Sequence, residues 1–117
     1  MFNVAIIGGS STNDYEFFEK KCIQCLRNKA KTDHIMIYSI GDEYVEKFAN
    51  RFNIDVKILP TYFKKYKSDA LKLRNDELFS SINAVIAFDA LKDAKVIAEM
   101  AQQRNLPVRL IKRNGKH

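Results

Sequence analysis

The first residues of the sequence with types and spacing suited to chemistry follow a short apolar run. Gly8-Gly9-Ser10-Ser11-Thr12 separates that run from a helical pattern. At such a junction, backbone N–H groups and a helix N-terminus bind phosphate, and glycines let a ligand approach the backbone. The segment is neither a GxGxxG fingerprint nor a P-loop, because the Lys-Ser/Thr element is absent. A tight turn with a serine cap is the alternative interpretation.

A second candidate group lies on a helix predicted to begin near Ser68. Leu71, Arg74, Asn75 and Leu78 are spaced at i, i+3, i+4 and i+7, which places them on one helix face. If the leucines pack on the sheet, Arg74 lies over the same side, where an unpaired guanidinium is costly. This spacing predicts that Arg74 pairs with a carboxylate or a phosphate. In the alternative, the helix begins after Arg74 and both polar residues are solvated.

Aromatic and basic residues alternate just before this helix. Tyr62, Phe63 and Tyr66 are interleaved with lysines, and the predicted basic patch consists of Lys64, Lys65, Lys67 and Lys72. Aromatic rings stack on bases while cations neutralise phosphates, so this mixture is typical of nucleotide or nucleic-acid binding. A solvated charged face with aromatic rings closing the core is the alternative.

The cysteines and histidines do not form a recognisable reactive set. Cys22 and Cys25 match C-x-x-C but lie in the middle of a predicted helix, which favours core packing over redox chemistry. Neither His34 nor His117 has a visible partner, and no grouping completes a zinc site. We therefore predict no metal, no cofactor and no nucleophilic triad.

The elements that must position these residues alternate regularly between strand and helix. Asn13 and Glu16 are expected as the cap of the first helix and its partner at the third helical position. Strands are predicted at Asn3–Gly8, His34–Ser39, Ile54–Leu59, Ala84–Phe88 and Val108–Ile111, and helices at Asp14–Asn28, Asp42–Phe52, Ser68–Ser81 and Asp93–Arg104.

This alternation predicts a three-layer α/β/α Rossmann-like fold with a five-stranded parallel sheet in the order 3-2-1-4-5. At 117 residues, the chain fits a single domain. In such sheets, ligands bind at the carboxyl ends of the strands. The loops after Gly8, Ser39, Leu59 and Phe88 are therefore the expected site.

Composition narrows the classes of partner and compartment. The net charge of +6 favours anionic partners, although basic residues also serve solubility alone. No apolar run reaches the length of a membrane span, and the first one has no basic leader before it, so it is predicted to be a strand. Two cysteines without a secretory signal favour a reducing, cytoplasmic location without a membrane partner.

The order of motifs resembles the YspA-type branch of the SLOG superfamily, the Rossmann-like group that includes the LOG, or lysine-decarboxylase-like, proteins. The similarity runs from about Asn3 to Lys112. The matching residues are Gly8, Asp14-Tyr15, Asp42, Pro60, Lys64-Lys65-Tyr66, Ala70, Arg74-Asn75 and Leu106-Pro107-Val108. The resemblance implies binding of a nucleotide or a nucleotide-derived molecule, hydrolysis of an N-glycosidic bond in some members, and a homo-oligomer.

The sequence departs from the family pattern at three turns. Ser10 stands in place of an arginine, the second Gly-rich turn is shortened to Ser39-Ile40-Gly41-Asp42, and Asp89-Ala90-Leu91-Lys92-Asp93 replaces a Gly-Thr turn. No glutamate lies in a glycine-rich context like that of the LOG catalytic motif. These departures favour binding over catalysis.

The leading hypothesis is a non-catalytic or weakly catalytic domain that senses, carries or sequesters a nucleotide-like anion. Its expected ligand-binding residues are Gly8, Gly9, Ser10, Ser11, Gly41, Asp42, Tyr66, Arg74, Asn75 and Asp89. One alternative is a LOG-like nucleoside-monophosphate phosphoribohydrolase. Another is a modulator that binds a protein or, secondarily, nucleic acid; a phage-encoded homologue acting on a component of the host cytoplasm suits the short Asn/Lys-rich chain.

Overall fold

The computed structural model describes residues 1–59, 78–89 and 92–112, and it contains one sheet of five parallel strands. The spatial order is β3-β2-β1-β4-β5, and each neighbouring pair is parallel. The predicted Rossmann-like α/β fold and its strand order are therefore confirmed. The strands are β1 (Phe2–Ile7), β2 (Ile35–Ser39), β3 (Asp55–Ile58), β4 (Ala84–Phe88) and β5 (Val108–Ile111).

Helices connect the strands, as the alternation predicts. A short 3₁₀ turn, Ser10–Thr12, is followed by α1 (Tyr15–Ala30), α2 (Glu43–Arg51) and α3 (Lys92–Gln103). Residues 78–81 are also helical and precede β4. The predicted start of that helix near Ser68 lies outside the described residues.

The predicted cap of α1 is wrong by one residue. Asp14 is the N-cap, and its carboxylate accepts a hydrogen bond from the Phe17 backbone N–H at 3.1 Å. Asn13 has a φ of 54°, a left-handed conformation that asparagine tolerates and that ends the 3₁₀ turn. Asn and Asp are both good caps, so the sequence did not distinguish between the two neighbours.

Two apolar layers cover the two faces of the sheet. On β1, Val4 and Ile6 point toward α1 and α2, where they meet Phe18, Cys22, Leu26, Val45, Phe48 and Ala49. Ala5 and Ile7 point to the opposite face, where they join Leu78, Phe79, Ala94, Ile97, Ala98 and Ala101. Because side chains alternate along a strand, a central strand buried on both faces is apolar throughout. All four residues of β1 named here are at most 1% exposed.

No helix in the described part of the chain has the length and apolar character needed to cross a membrane. The loops after β1, β2 and β4 leave the same edge, since their strands are parallel.

Candidate functional site

The two glycines of the first loop have separate structural causes. Gly8 has a φ of 82°, in the left-handed region that favours glycine. Gly9 has an ordinary φ of −59°, but a Cβ atom there would overlap Cε1 of Phe18. Phe18 is fully buried in the layer beneath α1. Gly9 is therefore required by packing under the loop, and both glycines are buried.

An aspartate from the second loop holds the first loop. The Ser10 backbone N–H donates to both carboxylate oxygens of Asp42 at 3.1 Å, and the Ser10 hydroxyl donates to Asp42 Oδ1 at 2.5 Å. The same Oδ1 accepts the Tyr44 N–H at 2.9 Å and caps α2. An N–H group predicted to receive a ligand anion is thus occupied by an internal carboxylate.

The buried Ser39 hydroxyl fixes the conformation of the loop that follows β2. Ser39, at the end of β2, is fully buried, and its Oγ accepts the backbone N–H groups of Gly41 at 3.2 Å and Asp42 at 3.1 Å. Gly41 has a φ of 91°, which turns the chain sharply between strand and helix. This turn therefore directs the Asp42 carboxylate toward Ser10.

These two loops enclose a pocket of about 380 Å³ at the carboxyl edge of the sheet, lined by Gly8, Ser10, Ile40, Gly41, Asp42 and Glu43. Asp42 Oδ2 accepts one hydrogen bond, from the Ser10 N–H, whereas Oδ1 accepts several from the residues that the structure describes. A carboxylate oxygen has two lone pairs, so Oδ2 retains accepting capacity. The pocket is suited to a group that donates hydrogen bonds, such as a sugar hydroxyl.

The structure brings four of the predicted ligand-binding residues together, Gly8, Ser10, Gly41 and Asp42. Ser11 is exposed and Gly9 is buried, and neither lines the pocket. Asp89 follows β4 at the same edge, and its backbone N–H donates to the Ile111 carbonyl at 2.9 Å. The other predicted site residues lie outside the described residues: Lys64, Lys65, Tyr66, Lys67, Lys72, Arg74 and Asn75.

Sequence analysis missed Ile40 and Glu43 as pocket residues. Their positions beside the predicted Gly41 and Asp42 were the available signal, because the neighbours of a site residue in a tight turn share its surroundings. Glu43 begins α2, where a carboxylate is favoured by the positive end of the helix dipole. This interaction accounts for Glu43 without any ligand.

An aromatic and charged cluster joins α1 to α2 behind the pocket. The Tyr15 hydroxyl donates to Glu19 Oε1 at 3.0 Å, and Arg51 Nε lies 3.2 Å from the same oxygen. The Tyr15 ring meets the Tyr44 ring edge-on, with centroids 5.3 Å apart. Burial, together with the hydrogen bond to Glu19, raises the pKa of Tyr15 to about 12. Tyr15 therefore stays protonated at neutral pH.

The two cysteines behave as predicted for core residues. Both are free thiols, with Cys22 fully buried and Cys25 partly buried on α1. Burial raises the pKa of both thiols, so neither is a reactive thiolate at neutral pH. Within the described ranges, no three His, Cys, Asp or Glu residues are grouped closely enough to hold a metal ion.

Comparison of the chain with protein-family models, curated proteins and solved structures finds no match.

Proposed function

We propose that this domain binds a ribonucleotide-like ligand whose ribose hydroxyls contact Asp42. The observation that supports it most directly is the position of Asp42, in the turn between β2 and α2 and beside the glycine loop that follows β1. In Rossmann-type sheets, an acidic residue near this edge accepts hydrogen bonds from ribose, while the loop after the first strand faces the rest of the ligand. The resemblance to the SLOG superfamily favours the same ligand class.

The hydrogen bonds of Asp42 define which part of the ligand fits. Its Oδ2 atom keeps accepting capacity, and Glu43 adds a second carboxylate to the lining. Two carboxylates repel phosphate at this point, so the sugar is the group that this pocket accepts. The phosphate is expected to contact the basic residues predicted between Lys64 and Arg74. The pocket lined by Asp42 therefore distinguishes ribonucleotides from ligands that lack the ribose hydroxyls.

The first prediction is a preference for ribose over deoxyribose. We expect AMP, GMP or ADP-ribose to raise the melting temperature in a thermal shift assay, and the matching 2′-deoxynucleotides to give a smaller shift. Binding measured by calorimetry should be about tenfold tighter for the ribonucleotide, since one hydrogen bond to a carboxylate is lost without the hydroxyl. Asp42→Asn should reduce this ratio, because a neutral amide is a weaker acceptor than a carboxylate.

Asp14→Asn is the matched control. Asp14 caps α1 as Asp42 caps α2, but it does not line the pocket. This variant should keep the ribose preference of the wild-type protein. Equal binding of ribonucleotides and deoxynucleotides by the wild type, or no binding of either, would contradict the proposal. Release of free base from a nucleoside monophosphate would instead favour the phosphoribohydrolase alternative.

A further inference from the structure

A second pocket lies at the opposite, amino edge of the sheet, where α1 and α2 end and β2 begins. Its volume is about 410 Å³, within the range of small-molecule sites. Leu26 and Phe48 are buried in its wall, whereas Ile23 is 39% exposed and Phe52 is 42% exposed. The large apolar side chains of Ile23 and Phe52 are thus partly exposed on one concave surface. Such a surface marks a site for an apolar ligand group.

The charged groups of this pocket differ in whether they have partners. His34 Nε2 lies 2.8 Å from Asp55 Oδ2, and the Asp33 carboxylate accepts the Thr32 hydroxyl at 3.2 Å. Arg27 also lines the pocket, and it forms no ion pair with any residue that the structure describes. A guanidinium presents a fork of donors that matches a carboxylate. Arg27 is exposed on α1, so its guanidinium is accessible to an anionic ligand group in the pocket.

The surrounding charge supports an anionic group at Arg27. The carbonyl ends of α1 and α2 converge here and carry partial negative charge. The last turns of these helices contain Arg27, Lys29 and Arg51, and Lys31 follows as the C-cap of α1. Asp33, which also lines the pocket, adds one negative charge. The positive charges of Arg27, Lys29 and Lys31 outweigh that charge together with the partial charges of the helix ends. Arg51 lies outside the lining and is paired with Glu19, whereas Arg27 belongs to the lining itself.

We propose that the pocket between the C-terminal ends of α1 and α2 binds a small molecule with an apolar or aromatic body and one carboxylate. The body packs between Ile23 and Phe52, and the carboxylate pairs with Arg27. This site lies at the edge of the sheet opposite the Asp42 pocket. It is independent of the proposed ribonucleotide site.

The probe for this site is 2-naphthoate, with 2-naphthylmethanol as its uncharged counterpart. In a titration followed by ¹H–¹⁵N NMR of the full chain, naphthoate should shift the amide signals of residues 23–35 and 48–54. Arg27→Gln should weaken naphthoate binding up to about fivefold, because an exposed ion pair contributes up to about 1 kcal/mol. The same variant should bind naphthylmethanol as the wild type does.

Lys20→Gln is the matched control, because it removes one positive charge from the exposed face of the same helix without touching the pocket. It should bind naphthoate within about twofold of the wild type, since an exposed charge outside the pocket is screened. Three outcomes would overturn the proposal: no binding of naphthoate, equal weakening by both substitutions, or shifts centred on residues 8–12 and 40–44. The first two outcomes leave the ribose preference at Asp42 untouched, whereas the third would also contradict the exclusion of anions from the Asp42 pocket.

Discussion

At the scale of single residues, the Phe18 ring leaves no space for a side chain at position 9. A Cβ atom on Gly9 would overlap the Phe18 ring, and that ring is fixed by contacts with Tyr15, Tyr44, Phe48 and Phe88. Gly9→Ala should therefore lower the free energy of unfolding by about 1–3 kcal/mol, the usual cost of overpacking. Chemical denaturation of the variant measures this loss.

A double-mutant cycle separates this cause from backbone strain. In a Phe18→Leu background, the cost of Gly9→Ala should shrink by about 1 kcal/mol, because the obstructing ring is gone. Gly41→Ala is the comparison: its φ of 91° strains any side chain, but its Cβ would meet open space. The cost of Gly41→Ala should be the same in both backgrounds. An undiminished cost of Gly9→Ala in the Phe18→Leu background would refute the steric explanation.

At the scale of secondary-structure elements, the Tyr15 hydroxyl donates to Glu19 within α1, and Glu19 forms an ion pair with Arg51 of α2. The pKa of Tyr15 is about 12 in the folded protein, against an ordinary value of 10.0. The folded state thus holds the phenolic proton more tightly than the unfolded state. The resulting stabilisation is complete below pH 10 and is lost as the pH rises toward about 12.

Tyr15→Phe is expected to flatten the decline of stability with pH. The free energy of unfolding of the wild-type protein should fall between about pH 10 and pH 12, and the variant should lose the part of this slope that belongs to Tyr15. Denaturant titrations across this range measure both slopes. Cys22 contributes to the decline in both proteins, because burial raises the pKa of its thiol. Identical slopes would show that Tyr15 is not the group responsible.

At the scale of the whole molecule, β1 is shared by both apolar layers. Ile6 belongs to the layer under α1 and α2, and Ile7 to the layer under α3. Ile6→Ala and Ile7→Ala should each lower the free energy of unfolding by about 2–5 kcal/mol. Because the layers meet in one strand, each variant should still unfold in a single transition, with far-UV and near-UV circular dichroism coinciding. Separate transitions in either variant would show that the layers unfold independently.

The fold was more predictable than the site, and particular residues show why. Apolar runs such as Val4–Ile7 and Ala84–Phe88 indicate burial on both faces of the sheet, so the strands could be identified from the sequence. The order of the strands is the one usual for Rossmann-type sheets. The hydrogen bonds from Ser10 to Asp42 join residues 32 positions apart. Nothing local in the sequence records such a contact. The pocket between the C-terminal ends of α1 and α2 was missed because apolar residues such as Ile23 and Phe52 are also typical of the buried faces of helices.

The strand order also has a consequence for synthesis of the chain. β1 is paired with β2 early, but its other neighbour is β4, whose residues leave the ribosome about 80 positions later. Until then, one backbone edge of β1 is unpaired. The side chains of Ala5 and Ile7 also lack part of the apolar layer that buries them in the folded protein. A nascent chain carrying only the first three strands therefore exposes an unpaired edge, which is a template for aggregation. The interval before β4 emerges is the period in which this edge of β1 is open to pairing with another chain.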